Sequence, residues 1–190
     1  MKATILNGAL QEGEMDLYNE ALTDELAARG WEVATIPLRE RKIGYCVGCF
    51  GCWTKTPGVC VIEDDAQDVG RRMIQSDLVV FLTPISFGGP SSALKRTLDR
   101  QICLLSPFFT LVDGEIHHKK RYERYPRLLS VGVQAERDEA AADIFTTWAE
   151  RAAINLWAPA VAVGVLEEQD EDGAGEIHKK MSELLRKVEA

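Results

Sequence analysis

Leu78-Val79-Val80-Phe81-Leu82-Thr83-Pro84-Ile85-Ser86-Phe87-Gly88-Gly89-Pro90-Ser91-Ser92-Ala93-Leu94-Lys95 decides how this chain folds. The first five residues are all apolar. A strand with no polar alternation has no solvent face, so it belongs in the middle of a parallel sheet covered on both sides. It runs into a turn rich in Gly and Pro, then into a helix that Ser91 can cap.

Working outward, the same alternation recurs. Upstream, Lys2 to Asn7 reads as a strand ending at Asn7-Gly8, Met15 to Arg29 as a helix stopped by Gly30, and Glu32 to Leu38 as a second strand. Asp65 to Gln75 reads as a helix entered from Asp64 or Asp65. Downstream, Ser91 to Leu105 is helical, Pro126 to Val133 a strand, Glu136 to Asn155 a helix, Ala160 to Leu166 a strand and Ile177 to Val188 an amphipathic helix. Strand and helix repeated five times predict an α/β fold: a five-stranded parallel sheet with helices on both faces. The spacing suits the flavodoxin-like three-layer sandwich, order 2-1-3-4-5, better than a six-stranded dinucleotide fold. At 190 residues the chain is expected to form one domain, 1–190.

Two segments exceed a plain connection, Arg39 to Asp64 and Ser106 to Tyr125, and long loops in a compact domain are usually functional. The first, an insertion at about residues 39–64, leaves the carboxyl end of the second strand, where open parallel sheets bind ligands.

A net charge of −8 argues against a nucleic-acid partner. The longest apolar run, Leu78 to Leu82, is too short for a membrane span, and the first residues do not read as a secretory signal. A cytoplasmic chain with reduced thiols is the expectation.

Four of the five cysteines lie in Cys46-Val-Gly-Cys49-Phe-Gly-Cys52 and, after seven residues, Cys60. A tight cysteine cluster in such a chain points to metal or redox chemistry rather than disulfide staples. An iron–sulfur cluster needs thiolates converging from a short loop, and Gly48 and Gly51 would let the loop turn. The last gap is longer than in the bacterial ferredoxin run, and Val61 follows in place of Pro. A zinc knot and free thiols fit the same spacing. The Thr83 to Ser91 turn offers backbone amides and the Phe87 ring, which suit a planar heterocycle; a plain strand–turn–helix joint is the other reading.

The Thr83 to Arg100 stretch, T-P-I-x-F-G-x-x-S-x-x-L-K-x-x-x-D-R, resembles the ring-cupping loop of the NAD(P)H-dependent FMN reductase superfamily, and Cys46 to Cys60 resembles the compact cluster motif of its iron–sulfur flavoproteins. The order of elements matches across essentially the whole chain. The resemblance implies FMN held by Asn7, Gly8, Gly13, Thr83, Pro84, Ile85, Ser86, Phe87 and Gly88. It implies NAD(P)H as electron donor and a four-iron–four-sulfur cluster on Cys46, Cys49, Cys52 and Cys60. It further implies a small-molecule or protein electron acceptor and a homodimer or homotetramer. The alternative is a flavin-free metal- or thiol-based redox sensor on the same fold.

The first loop departs from the pattern. The family usually reads G-S-P-R followed by small polar residues; here Gly8-Ala9-Leu10-Gln11-Glu12-Gly13-Glu14-Met15-Asp16 lacks the Ser, the Arg and the Thr-type ligands. Glu12, Glu14 and Asp16 complement a helix dipole but would repel a phosphate. Cys103 reads as a core residue. His117-His118-Lys119-Lys120-Arg121, with Arg124 and Arg127, reads as a solvated basic loop, and Glu167 to Asp172 as a solvated acidic run.

Overall fold

The computed structural model describes residues 1–169 and 171–190. The sheet runs β2-β1-β3-β7-β8, with β1 Lys2–Asn7, β2 Glu32–Pro37, β3 Leu78–Ser86, β7 Arg127–Gln134 and β8 Val161–Glu167, all mutually parallel. This is the flavodoxin-like order expected from the spacing of the elements. The apolar run forms the central strand, flanked by β1 (Ala3 opposite Leu78) and β7 (Leu78 opposite Arg127). It extends to Ser86, where the two-residue β4, Gly89–Pro90, folds back antiparallel.

Alternation along the strands divides the core in two. Ile5, Val80 and Leu82 face Tyr18, Leu22 and Leu26 of α1 (Asp16–Ala28) and Ile177, Met181 and Leu185 of α6 (Ala174–Glu189). Leu6, Val79 and Phe81 face Val69 and Met73 of α3 (Asp65–Gln75), Leu94 of α4 (Ser92–Asp99) and Ala153 of α5 (Glu139–Asn155). Each fully buried Leu or Phe in these layers contributes about 1.5–3 kcal/mol. A sheet buried on both faces therefore holds the loops at its carboxyl edge on a stiff base.

The helix ends follow their caps. Asp64 accepts from the Ala66 N–H, Ser91 from Leu94 and Asp138 from Ala141; Gly30 ends α1 at φ +78°. Because Asp138 is the cap, α5 starts at Glu139 rather than Glu136. The helix expected from Ser91 to Leu105 stops at Asp99 and tightens into a 3-10 turn over Arg100–Leu104.

The segment Ser106 to Tyr125, expected as an open loop, is mostly a β-hairpin. Strand β5 (Leu105–Val112) pairs antiparallel with β6 (Glu115–Lys120). Asp113 and Gly114 make the turn at φ +51° and +85°, the positive values that tight hairpin turns require. His117 is buried at 6% exposure and bonds Asn155 and Glu115, whereas Lys119, Lys120 and Arg124 are exposed; the stretch as far as Lys120 is a strand rather than a loop, and its lysines are solvated as expected. Of the acidic run, Asp170 lies outside the described residues, while Glu167 ends β8. Among the described residues no helix is long and apolar enough to cross a membrane.

Candidate functional site

Three loops at the carboxyl edge enclose a cleft of about 360 Å³. Leu10, Glu14 and Met15 come from the loop after β1; Pro84, Ile85, Ser86, Ser91 and Ser92 from β3 and the turn after it; Val133 and Ala135 from the end of β7. Glu168 closes the rim. The first two loops are tied together. The Ser91 hydroxyl donates to the Gly8 carbonyl at 2.6 Å, and the Ser91 N–H donates to Thr83 Oγ1 at 2.9 Å. A Cβ on Gly8 would stand 2.9 Å from Ser91 Oγ and 3.1 Å from Thr83 Oγ1, so this close approach requires glycine.

Pro84, Ile85 and Ser86 thus line the cleft, while Asn7, Gly8 and Thr83 are buried behind its wall. Phe87 stands at φ +50° with its side chain fully in solvent, an uncommon backbone state for an aromatic residue. Gly88, at φ +76°, turns away from the cleft: a Cβ there would strike Ile144 of α5 at 2.7 Å. Gly13 has positive φ and open space around its Cα.

The three acids of the first loop do different things. Glu12 and Asp16 are exposed, with Asp16 in the first turn of α1. Glu14 instead turns back on the loop. Its Oε2 accepts the N–H of Leu10 at 2.6 Å and of Gln11 at 3.1 Å, while Asn7 Oδ1 accepts the Ala9 N–H at 2.9 Å. Three consecutive amides, the groups with which a loop of this kind holds an anion, are therefore taken by its own side chains. Among the described residues the cleft is lined by two acidic residues, Glu14 and Glu168, and by no Lys, Arg or His.

The cysteine segment contains a short helix, α2 (Gly51–Thr54), entered from Phe50 at φ +53°. Cys46, Cys49, Cys52 and Cys60 all line one small cavity of about 40 Å³, together with Ile62, Arg100 and Ile102. Cys46 and Cys49 are exposed, Cys52 is buried and Cys60 is half-buried. As placed, no group of three or more His, Cys, Asp or Glu among the described residues stands in a metal-holding arrangement. The donor set itself, four soft thiols around one cavity, is the chemistry that an iron–sulfur cluster or zinc takes. Cys103 is not among the residues lining this cavity; it is buried in the same core cluster as Cys52, where burial pushes its thiol up to about 11.

Arg100 forms the floor of that cavity. Its side chain is wholly buried and binds Asp64 through both terminal nitrogens, at 2.7 and 3.1 Å, as well as the Gly44 carbonyl. Burial alone would raise the Asp64 carboxyl; the Arg100 guanidinium and the Gly44 and Ala66 amides outweigh it and hold Asp64 below the usual carboxylate range. Sequence reading placed Arg100 at the end of the ring-loop stretch, but its side chain serves the cysteine segment.

Beside the cysteines a larger hollow of about 670 Å³ opens between α4, α5 and the hairpin, lined by Cys46, Phe50, Leu98, His118, Trp148 and Asn155 among others. A row of rings borders it: Phe50 stacks on Trp53 at 5.3 Å, Trp53 meets His118 at 4.9 Å, and His118 meets Phe109 at 4.6 Å. Phe50 and Trp53 flank the cysteines in sequence, whereas His118 and Phe109 reach this row from the hairpin.

A doubly wound sheet, with a cleft at its carboxyl edge and a cysteine-lined cavity in the segment after β2, defines a protein of the flavodoxin-like fold. The chain belongs to the NADPH-dependent FMN reductase family, which it matches over residues 1–165. It is 32% identical over 103 residues to an iron–sulfur flavoprotein of Archaeoglobus fulgidus, covering 54% of this chain and 46% of that protein. It is likewise 32% identical over 101 residues to one of Methanocaldococcus jannaschii, covering 53% and 51%. The chain thus spans about half the length of these curated relatives. Among solved structures, an NAD(P)H:quinone oxidoreductase from Methanothermobacter marburgensis superposes with a TM-score of 0.70 at 14% identity, covering 100% of this chain and 98% of that one. At that identity the likeness shows the fold.

Proposed function

We propose that this chain is an FMN-dependent NAD(P)H oxidoreductase or electron-transfer flavoprotein of the iron–sulfur flavoprotein type. The cysteine segment is then an insertion within a single domain, 1–190. Pro84, Ile85 and Ser86 would hold the flavin ring, with Asn7, Gly8, Gly13, Thr83, Phe87 and Gly88 shaping the loops around it. Cys46, Cys49, Cys52 and Cys60 would hold a four-iron–four-sulfur cluster. A bound flavin accepts a hydride from a nicotinamide and can release its electrons singly, which a one-electron cluster needs. The protein's part is to hold the ring against β3, exclude water with Ile85 and Val133, and present four thiolates over Arg100.

The observation that carries this reading is the gathering of all four clustered cysteines around one cavity, in a chain of this family. Quinone and azo compounds, named for its structural neighbours, are the class of small-molecule acceptor to try first. A homodimer or homotetramer and a cytoplasmic location complete the proposal.

Protein prepared without oxygen should contain iron, acid-labile sulfide and flavin, and should oxidise NAD(P)H when a quinone is supplied. Iron-free protein carrying stoichiometric zinc would reject the cluster. The flavin-free sensor reading is favoured by one observation, the engagement of Leu10 and Gln11 by Glu14. Absence of flavin together with bound metal or reversible thiol oxidation would establish it instead.

A further inference from the structure

We infer that Glu14 is a built-in competitor for the flavin phosphate, so that the cleft selects its ligand by the isoalloxazine ring and accepts riboflavin as readily as FMN. The inference rests on the flavin part of the proposed function and deepens it by naming the ligand class.

In this fold an anion is held by the loop after β1 and the N-terminus of the helix that follows. Here the Glu14 carboxylate already fills that role for Leu10 and Gln11, and Asn7 fills it for Ala9. A bond from a backbone amide to a carboxylate is charge-assisted and stronger than a neutral one. A phosphate entering the loop must displace two such bonds and then remain beside the carboxylate it displaced. The rest of the lining gives no relief. Glu168 adds a second carboxylate, and among the described residues no Lys, Arg or His lines the space. The positive pole of α1 attracts an anion, but Asp16 in its first turn already offsets that pole. The ring end is different in kind: Pro84, Ile85 and Val133 are neutral and apolar, and binding there does not depend on the ester.

The discriminating change is Glu14→Gln. The amide oxygen can still accept from Leu10 and Gln11, so the loop keeps its shape while the charge is lost. Glu14→Ala empties the amides altogether.

The test is titration of flavin-free protein with FMN and with riboflavin, followed by quenching of flavin fluorescence and by the shift in melting temperature, at low and at high salt. The wild-type protein should bind the two within about threefold of each other, because the phosphate adds no net attraction. Salt should tighten FMN binding and leave riboflavin unchanged, because screening removes the repulsion. Glu14→Gln should tighten FMN about tenfold, the scale of one like-charge contact in a partly solvated site, and riboflavin less than about twofold. Glu14→Ala should favour FMN at least as much.

A wild-type preference for FMN of about a hundredfold, unmoved by Glu14→Gln, would overturn the inference while leaving the flavin reading intact. Should either variant fail to fold, the salt series on the wild-type protein decides. FMN binding that weakens with salt would mean a net attractive phosphate site and would overturn the inference. Failure of both flavins to bind any folded form would overturn the flavin reading and this inference together.

Discussion

Arg100 donates through Nη2 to the Cys60 Sγ at 3.2 Å. The contact spans forty residues of sequence and joins the end of the ring-loop helix to the last cysteine of the cluster segment. The same guanidinium is paired with Asp64, the cap of α3, so one buried cation fixes the helix start, the Gly44 backbone and a thiol at once.

Arg100→Leu should therefore cost about 3 kcal/mol, because it strands the mostly buried Asp64 carboxylate without its partner. Arg100→Lys should recover only part of this, since a single ammonium cannot serve Asp64, Gly44 and Cys60 from one point. Urea denaturation of metal-free protein measures both. Equal stability of the Leu variant and the wild type would show that the network contributes nothing.

Gly132 of β7 underlies the cleft wall. A Cβ there would meet Ile85 and Phe145, both at 2.7 Å. Gly132→Ala should destabilise by about 1–3 kcal/mol through overpacking. The shift should also weaken flavin binding, since Ile85 lines the cleft. The pairing of the two effects is the signature; Gly175→Ala, where a Cβ meets open space, should show neither. A melting curve and one flavin titration on each variant suffice.

Asp77 ties two strand starts together. It accepts from the Lys2 N–H at 2.8 Å and from Arg124 at 2.8 Å. The Lys2 amide bond, outweighing a small burial cost, and the Arg124 charge hold its carboxyl below the ordinary value. A carboxyl lowered on folding stabilises the native state fully above its unfolded value near 3.9, and that stability is lost as pH falls from there through the folded value. Asp77→Asn should flatten the acid limb of stability below about pH 4 and cost about 0.5–1 kcal/mol at neutral pH, reduced because the ion pair with Arg124 is exposed. Unfolding midpoints from pH 2 to 7 give the comparison; parallel curves for the two proteins would refute it.

The parallel sheet was legible because burial on both faces leaves an unmistakable apolar run, and Leu78 to Leu82 is one. That the four clustered cysteines share one cavity was legible because their spacing is local. The hairpin was not read, because the consecutive His and Lys residues of β6 masked its alternation; Asp113-Gly114 was the available signal. Arg100 and Glu14 were illegible for different reasons. The partners of Arg100 lie 36 to 56 residues away in sequence, so no spacing rule reports them. Glu14 bonds residues three and four positions back, but only the backbone path through Gly13, at φ +82°, aims its carboxylate inward rather than to solvent.

The five thiols differ enough in setting to be ranked by their chemistry. A thiol reacts as its thiolate, so both exposure and acidity govern the rate. Cys46 and Cys49 are exposed; Cys60 is half-buried beside Arg100. Cys52 is 7% exposed, and burial raises its thiol further; Cys103 is 5% exposed and raised to about 11. At pH 8 a thiol of that acidity is ionised to about one part in a thousand. Brief alkylation of native, metal-free protein, read by peptide mass spectrometry, should therefore modify Cys46 and Cys49 first, Cys60 next, Cys52 later and Cys103 last. If the four clustered cysteines hold a metal centre, protein prepared without oxygen should resist labelling at all four. Chelation should then restore Cys46 and Cys49 first, with Cys103 unchanged throughout. Rapid labelling of Cys103 in folded protein would contradict its place in the core, and rapid labelling of Cys46 and Cys49 in metal-containing protein would remove them from the ligand set.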